Sequence, residues 1–206
     1  MWSGGRRLST PIFRLLWALE VTGTVPEAPF VAAANHFSHL DPVIVGKVMG
    51  PLRFLAVDEI YGQQRWFDSM ITGFGAIPLS RVSVQLAALR TADDYLRQGG
   101  VVGIFPEGKR VWTWREVEPK RGAAWLALRT GAPLVPMAIW GSQDAFGIGA
   151  RRIERRPVQA EIGPSLQPGD YPGHPLEASH SMIGDWASWM EGALERLRDK
   201  AIARKE

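Results

Sequence analysis

A histidine and an aspartate five positions apart, His36 and Asp41, have the residue types of a general base and its orienting acid. They follow an apolar run over residues 30–34 that is typical of a buried strand. With the histidine in a turn and the aspartate opening the next helix, the carboxylate accepts from one ring nitrogen and leaves the other as a base. Open α/β sheets place ligand sites at the carboxyl ends of strands, so this position favours catalysis. The same spacing recurs at His180 and Asp185, where no strand precedes it and a helix is expected instead.

Two other interpretations of the histidine motif stay open at this point. His36 could simply satisfy a buried turn. His36, His39 and Asp41 could also bind a metal, but a mononuclear site needs three or four ligands. The other histidines, His174 and His180, lie in a distant part of the chain. We therefore expect no metal site, and we expect replacement of His39 to have little effect.

Cationic residues follow two further strand-like runs. Lys109 and Arg110 come after the run 101–105, and Arg81 comes after the run 76–79. A turn of this kind presents a guanidinium group and backbone amides to a phosphate. The chain therefore combines a candidate base with a candidate anion-binding turn, each at the carboxyl end of a predicted strand.

The elements that must position these residues alternate between strands and helices. Strands are predicted at 30–34, 53–56, 76–79, 101–105, 134–140 and 158–162. Helices are predicted at 42–49, 61–72, 84–97, 122–130 and 177–203. This alternation predicts a single α/β domain with a mostly parallel central sheet flanked by helices. The run 158–162 alternates apolar and polar residues, so we expect it at the border of the sheet.

Composition excludes several classes of protein. The 206 residues are 46% hydrophobic and 22% charged, which is typical of a globular domain rather than a disordered chain. There is no cysteine, which excludes disulfides and cysteine nucleophiles. The net charge of +3 does not favour a nucleic-acid partner. No apolar run reaches the roughly 20 residues that a membrane span requires, and no secretory signal is seen.

Residues 1–20 differ in composition from the rest of the chain. We therefore divide the chain into an amphipathic N-terminal segment at 1–20 and the single domain at 21–206. Residues 1–20 combine dense apolar residues with three arginines and precede any acidic residue except Glu20. A basic amphipathic segment of this kind suits a membrane surface, although docking on its own domain explains the pattern equally well.

Two further surface features allow more than one interpretation. Four arginines within residues 151–156 are either a solvated loop or a contact for anionic headgroups or coenzyme phosphates. Trp112 and Trp114 could line a tunnel for an apolar chain or enter lipid.

Four blocks of this sequence, taken in order, resemble the glycerolipid acyltransferase family, whose best-known members are 1-acylglycerol-3-phosphate acyltransferases. The blocks are N-H-x4-D at 35–41, G-x5-R at 75–81, F-P-E-G-x-R at 105–110 and an apolar V-P block at 132–139. The resemblance runs from about residue 19 to residue 163 and implies a glycerophosphate-acyltransferase-like fold.

The resemblance implies direct acyl transfer, with acyl-CoA or acyl carrier protein as co-substrate and no bound cofactor. His36 would be the general base on the acceptor hydroxyl, and Asp41 would orient it. Arg81 and Arg110 would bind the acceptor's phosphate. No serine nucleophile is required, and no G-x-S-x-G elbow is present.

The remaining binding residues come from the third block. Glu107 and Gly108 would shape the phosphate pocket. Lys109 stands where the family often has threonine, while a lysine that many relatives carry after the strand at 53–56 is missing. Either one phosphate-binding cation is absent or Lys109 replaces it.

The resemblance also implies partners and a location. The acceptor would be a lysophospholipid, first of all 1-acyl-glycerol-3-phosphate, which would give phosphatidic acid. The alternatives are another lysolipid or glycolipid acceptor, and a catalytically silent lipid-binding relative. We expect a peripheral enzyme on the cytoplasmic face of the membrane, in contact with the membrane surface.

Overall fold

The structure, a computed structural model, describes residues 19–57, 77–79 and 85–204. Within these ranges seven strands form one sheet. They are β1 (Leu19–Thr22), β2 (Phe30–Ala34), β3 (Arg53–Val57), β4 (Ile77–Leu79), β5 (Val101–Ile104), β6 (Leu134–Trp140) and β7 (Val158–Ile162). All six predicted strands are present, with ends that move by at most one residue.

The helices of the described ranges are α1 (Asp41–Met49), α2 (Gln85–Arg97), α3 (Gly122–Thr130), α4 (Ser142–Phe146) and α5 (Pro175–Ala203). A 3₁₀ turn spans Pro168–Asp170. Four of the five predicted helices match α1, α2, α3 and α5, and the fifth, at 61–72, lies outside the described residues. None of the described helices is both long and apolar enough to cross a bilayer.

The sheet has the order β1-β7-β6-β2-β5-β3-β4. β6 and β7 are antiparallel, while the other neighbours are parallel, so the expected mostly parallel α/β sheet is confirmed.

The border of the sheet differs from the prediction. β7 was expected there, but β1 pairs with it and covers it, and Gln159 is buried. This pairing also corrects the division after residue 20, because residues 19 and 20 already belong to the sheet.

Each face of the sheet has its own apolar core. Alternate residues of β2 point to opposite faces of the sheet. Val31 and Ala33 belong to one core, and Phe30, Ala32 and Ala34 belong to the other. The first core packs beneath α2, α3 and α5, and the second packs beneath α1 and α4. The sheet is therefore covered on both sides, as parallel strands require.

Three parallel strands, β2, β5 and β6, point to the same end of the sheet, which we call its carboxyl end. Ala33 of β2 is in register with Ile104 of β5, and Ala34 is in register with Met137 of β6. The residues that follow β2 and β5 therefore come close in space, beside the last residues of β6. The motif residues lie in these connections.

Candidate functional site

The predicted base and acid are in contact. His36 Nδ1 lies 3.1 Å from Asp41 Oδ2 in the turn between β2 and α1. Asp41 is fully buried, and His36 is 7% exposed. The pair is therefore largely shielded from water, which strengthens the interaction between the two groups.

The geometry also fixes which nitrogen of His36 is free to act as a base. Asp41 Oδ2 accepts from the backbone N–H groups of Phe37 at 2.7 Å and Ser38 at 2.6 Å, which holds the carboxylate in place. An ionised carboxylate only accepts hydrogen bonds, so the proton in the contact with His36 belongs to Nδ1. Nε2 keeps its lone pair and is the basic atom.

The imidazole is held from the neighbouring strand as well. The ring of Phe105, which follows β5, stacks on His36 with a centroid distance of 4.1 Å. The backbone N–H of Val111 donates to the carbonyl of His36 at 2.9 Å. The backbone N–H of His36 donates to Glu107 Oε1 at 3.2 Å. The first and third motif blocks therefore form one site.

Glu107 is buried inside this site, with only 4% of its surface exposed. Burial raises its pKa to about 7, even though the N–H of His36 bonds to it. Its Oε2 and the Oδ1 of Asp41 are buried with no hydrogen-bond partner among the described residues. Two acceptor oxygens are thus available beside the base.

The cations of the third block have different surroundings. Arg110 Nη1 contacts His39 Nε2. Lys109 Nζ forms an ion pair with Glu116 Oε1 at 3.2 Å. Arg81 lies outside the described residues. The structure therefore brings Arg110 to the histidine loop and places Lys109 beside the following turn.

Gly108 allows the third block to turn back on itself. It has φ +69°, a conformation that side chains disfavour, and its N–H donates to the carbonyl of Phe105 at 2.9 Å. This turn sends the chain from β5 back past His36.

Two more buried residues of the first block form hydrogen bonds with the surrounding fold, and sequence reasoning assigned no role to the first of them, Asn35. Asn35 donates to the carbonyl of Ile139 at 3.0 Å and accepts from its N–H at 2.8 Å, which ties β2 to β6. Ser38 Oγ donates to the carbonyl of Phe146 at 2.7 Å and accepts from the N–H of Leu40 at 3.1 Å. Ser38 is therefore a turn residue.

The other histidines lie elsewhere. His180 and Asp185 are both exposed on α5, and Asp185 accepts from the hydroxyl of Tyr171 at 2.8 Å. His174 caps α5 by accepting from the N–H of Leu176. In the described part of the chain, no group of three or more histidine or acidic residues is arranged to hold a metal ion.

A cleft of about 310 Å³ is lined by Phe37, the residue that follows His36 in the chain. Trp112, Trp114, Trp140 and Leu194 supply apolar walls, and charged residues of α5 also line it. The cleft is large enough for part of an elongated apolar group.

The sequence of this chain is similar to those of known acyltransferases. The family model for Acyltransferase matches residues 18–140. The 1-acyl-sn-glycerol-3-phosphate acyltransferase of Bacillus subtilis is 30% identical over 177 residues, which are 83% of this chain and 85% of that protein. A probable 1-acyl-sn-glycerol-3-phosphate acyltransferase of Mycoplasma pneumoniae is 30% identical over 151 residues, which are 69% of this chain and 56% of that protein.

A solved structure has the same fold. The crystal structure of the 1-acyl-sn-glycerophosphate acyltransferase of Thermotoga maritima superposes with a TM-score of 0.72, covering 91% of this chain and 77% of that one. The two sequences are 22% identical. The matched range of the family model runs from residue 18, beside the start of β1, to the end of β6 and includes the whole His36 site.

Proposed function

This chain belongs to the acyltransferase family, and we propose that it moves a fatty acyl group onto the hydroxyl of a lysophospholipid. The first candidate acceptor is 1-acyl-glycerol-3-phosphate, which gives phosphatidic acid, and the donor is acyl-CoA or acyl carrier protein. The observation that carries this proposal is the contact between His36 and Asp41 at the carboxyl end of the sheet. The names of the relatives support the choice of acceptor.

In the proposed reaction, His36 Nε2 removes the proton of the acceptor hydroxyl as its oxygen attacks the thioester carbonyl. Asp41 stabilises the imidazolium that forms and keeps it oriented. When the tetrahedral intermediate collapses, the carbon–sulfur bond breaks and the imidazolium returns its proton to the leaving thiolate. An ester and a free thiol result. No covalent acyl-enzyme is needed, and the Ser38 hydroxyl is engaged in its turn.

We assign the binding of the acceptor's phosphate to cationic side chains of the second and third motif blocks. Arg110 is the principal candidate, because it contacts the loop that carries His36. Arg81 is assigned to the same anion from the family motif. Lys109 is a weaker candidate, since Glu116 neutralises it. Glu107 and Gly108 shape this pocket by holding the backbone of His36 and the turn of the third block.

The tryptophan-lined cleft suits an acyl chain. Its apolar walls include Phe37, which follows His36 in the chain, so this cleft is our candidate for the part of the acyl chain that lies away from the reacting centre. The acyl donor is consumed in the reaction, so it is a co-substrate and not a bound cofactor.

We further propose that the enzyme works as a peripheral protein on the cytoplasmic face of the membrane. Lysophospholipid acceptors with long chains reside in the bilayer, so the enzyme must reach its surface. The basic amphipathic segment before β1 is one candidate for this contact. It lies outside the described residues.

The test is a transfer assay with radiolabelled acyl-CoA and acyl carrier protein against lysolipids, glycolipids and glycerol phosphate, with His36→Ala as the control. We expect labelled phosphatidic acid from wild type and at least about a hundredfold slower formation of it by the variant. Transfer only to another lysolipid would overturn the acceptor assignment. Lipid binding without any transfer would identify a silent relative.

A further inference from the structure

Residues 151–156, Arg-Arg-Ile-Glu-Arg-Arg, form an exposed segment between α4 and β7 that we call the basic loop. All four arginines are exposed. Their single acidic companion, Glu154, pairs with Arg152 at 3.7 Å and with Arg156 at 3.0 Å. Arg151 and Arg155 form no ion pair with any described residue. The loop therefore presents an excess of positive charge to solvent.

An apolar side chain stands in the middle of this charge. Ile153 is 42% exposed, which is unusual for isoleucine. Trp112 is 66% exposed and follows the third motif block, after β5. Cations that surround an exposed apolar residue suit the interface of a bilayer, where the apolar group enters the headgroup region and the cations meet anionic lipids. Nucleic acid and acidic proteins bind mainly through charge, so they would not explain the exposed isoleucine.

The loop is also placed beside the site. It follows β6, and β7 begins where β6 ends, with Gln159 in register with Trp140. Gly147, just before the loop, forms a β-bridge with Ser38 of the histidine turn. The backbone N–H of Glu154 donates to the carbonyl of Ala145 at 2.8 Å. The basic loop is thus tied by its backbone to the carboxyl end of the sheet.

The start of the described chain lies at this same end. Leu19, the first residue of β1, is in register with Val158, the first residue of β7. The amphipathic segment before β1 therefore joins the domain on the side where the basic loop and the His36 turn lie.

We propose that the basic loop is a docking surface for bilayers that contain anionic lipids. Docked through this loop, the carboxyl end of the sheet faces the membrane, and a lysophospholipid leaving the bilayer meets His36 directly. The inference deepens the proposed function and rests on it, because it assigns a surface to the lipid on which the enzyme acts.

The test measures binding of the full chain to phosphatidylcholine vesicles with and without phosphatidylglycerol. The variant is Arg151→Gln/Arg155→Gln, which removes the two arginines without ion pairs. Each arginine near an anionic surface contributes about fivefold to binding, so we expect a loss of roughly 25-fold on anionic vesicles. High salt should reduce this difference. On neutral vesicles, wild type and variant should bind alike.

The control is Arg53→Gln/Arg97→Gln, which removes two exposed arginines at the start of β3 and the end of α2. Both lie at the opposite end of the sheet, where β3 and β5 begin. Because Arg97 pairs with Asp93 at 2.8 Å, thermal unfolding checks that this control is folded. This control should bind anionic vesicles within about twofold of wild type, because its charges face away from the surface. A second variant, Ile153→Ser, should weaken binding several-fold even at high salt.

Binding of Arg151→Gln/Arg155→Gln to anionic vesicles within twofold of wild type would overturn the proposal. If the same variant also lost transfer from acyl carrier protein, the loop would be assigned to a protein partner instead. Transfer to a water-soluble short-chain lysolipid separates the docking proposal from the proposed function, because this substrate does not require a membrane. We expect the variant to keep that activity, whereas failure of wild type in the same assay counts against the proposed function alone.

Discussion

Arg110 and His39 are in direct contact through Nη1 of the guanidinium group and Nε2 of the imidazole. Burial, together with the nearby charge of Arg110, lowers the pKa of His39 to about 4. The imidazole is therefore neutral at pH 7, and its Nε2 accepts a hydrogen bond from Arg110. The His39 ring also packs against Phe146 with a centroid distance of 5.1 Å. His39 thus holds the cation that we assign to the acceptor's phosphate.

This contact reverses the expectation that replacing His39 has little effect. We predict that His39→Phe, which keeps an aromatic ring but cannot accept a hydrogen bond, raises KM for the acceptor about tenfold and changes kcat little. His39→Gln keeps an acceptor and should recover part of the loss. Steady-state kinetics with a short-chain lysolipid measures both effects.

The control for this prediction is a double-mutant cycle with Arg110→Ala. In that background His39→Phe should have no further effect on KM, because its partner is gone. Additive effects of the two substitutions would contradict a positioning role for His39. An unchanged KM in Arg110→Ala itself would instead contradict the assignment of Arg110 to phosphate.

Loss of the base should affect turnover and not folding. We predict that His36→Ala lowers kcat by about two to four orders of magnitude, the usual contribution of a general base. Asp41→Asn should cause a smaller fall, because it removes orientation and charge but leaves the imidazole. Thermal unfolding checks that each variant is folded. His180→Ala and Asp185→Asn, with the same spacing on an exposed helix face, should turn over like wild type.

Glu107 should make stability depend on pH. Its pKa rises from 4.5 to about 7 on folding, so the folded state holds a proton that the unfolded state has released. The free energy of unfolding should therefore fall as pH rises from 4.5 to 7, by up to roughly 3 kcal/mol. Glu107→Gln removes this dependence. Urea unfolding of wild type and Glu107→Gln between pH 4.5 and 7 isolates the contribution of Glu107. The contribution of His39 is present in both proteins and cancels in the comparison. Parallel pH profiles would disprove the predicted contribution of Glu107.

Asn35 should contribute to stability through its two bonds to Ile139. We predict that Asn35→Ala lowers the free energy of unfolding by about 2–4 kcal/mol, because a buried backbone N–H and carbonyl lose their side-chain partner. Ser188→Ala removes an exposed side-chain bond on α5 and should cost less than about 0.5 kcal/mol. Denaturant unfolding of the two variants gives the comparison. Equal small losses would show that Asn35 is replaceable.

Local pattern was enough to predict most of the elements and the central part of the site. Near-continuous apolar runs identify β2, β5 and β6, because strands buried on both faces carry no polar side. His36 and Asp41 are close in sequence, so a single turn brings them together and the spacing alone predicts their contact. The meeting of the first and third blocks was implied by the family resemblance, and the register of Ala33 with Ile104 provides it.

The tertiary structure decided what depends on strand order and on the direction of side chains. β1 is too short and too polar to be recognised alone, and only its pairing with β7 makes it a strand. Two of these relationships join residues about 70 or more positions apart: the bonds of Asn35 with Ile139 and the contact of His39 with Arg110. The position of the basic loop follows from the pairing of distant strands. No local periodicity encodes these relationships, because they exist only once β6 lies beside β2 and the third block has turned back past the histidine loop.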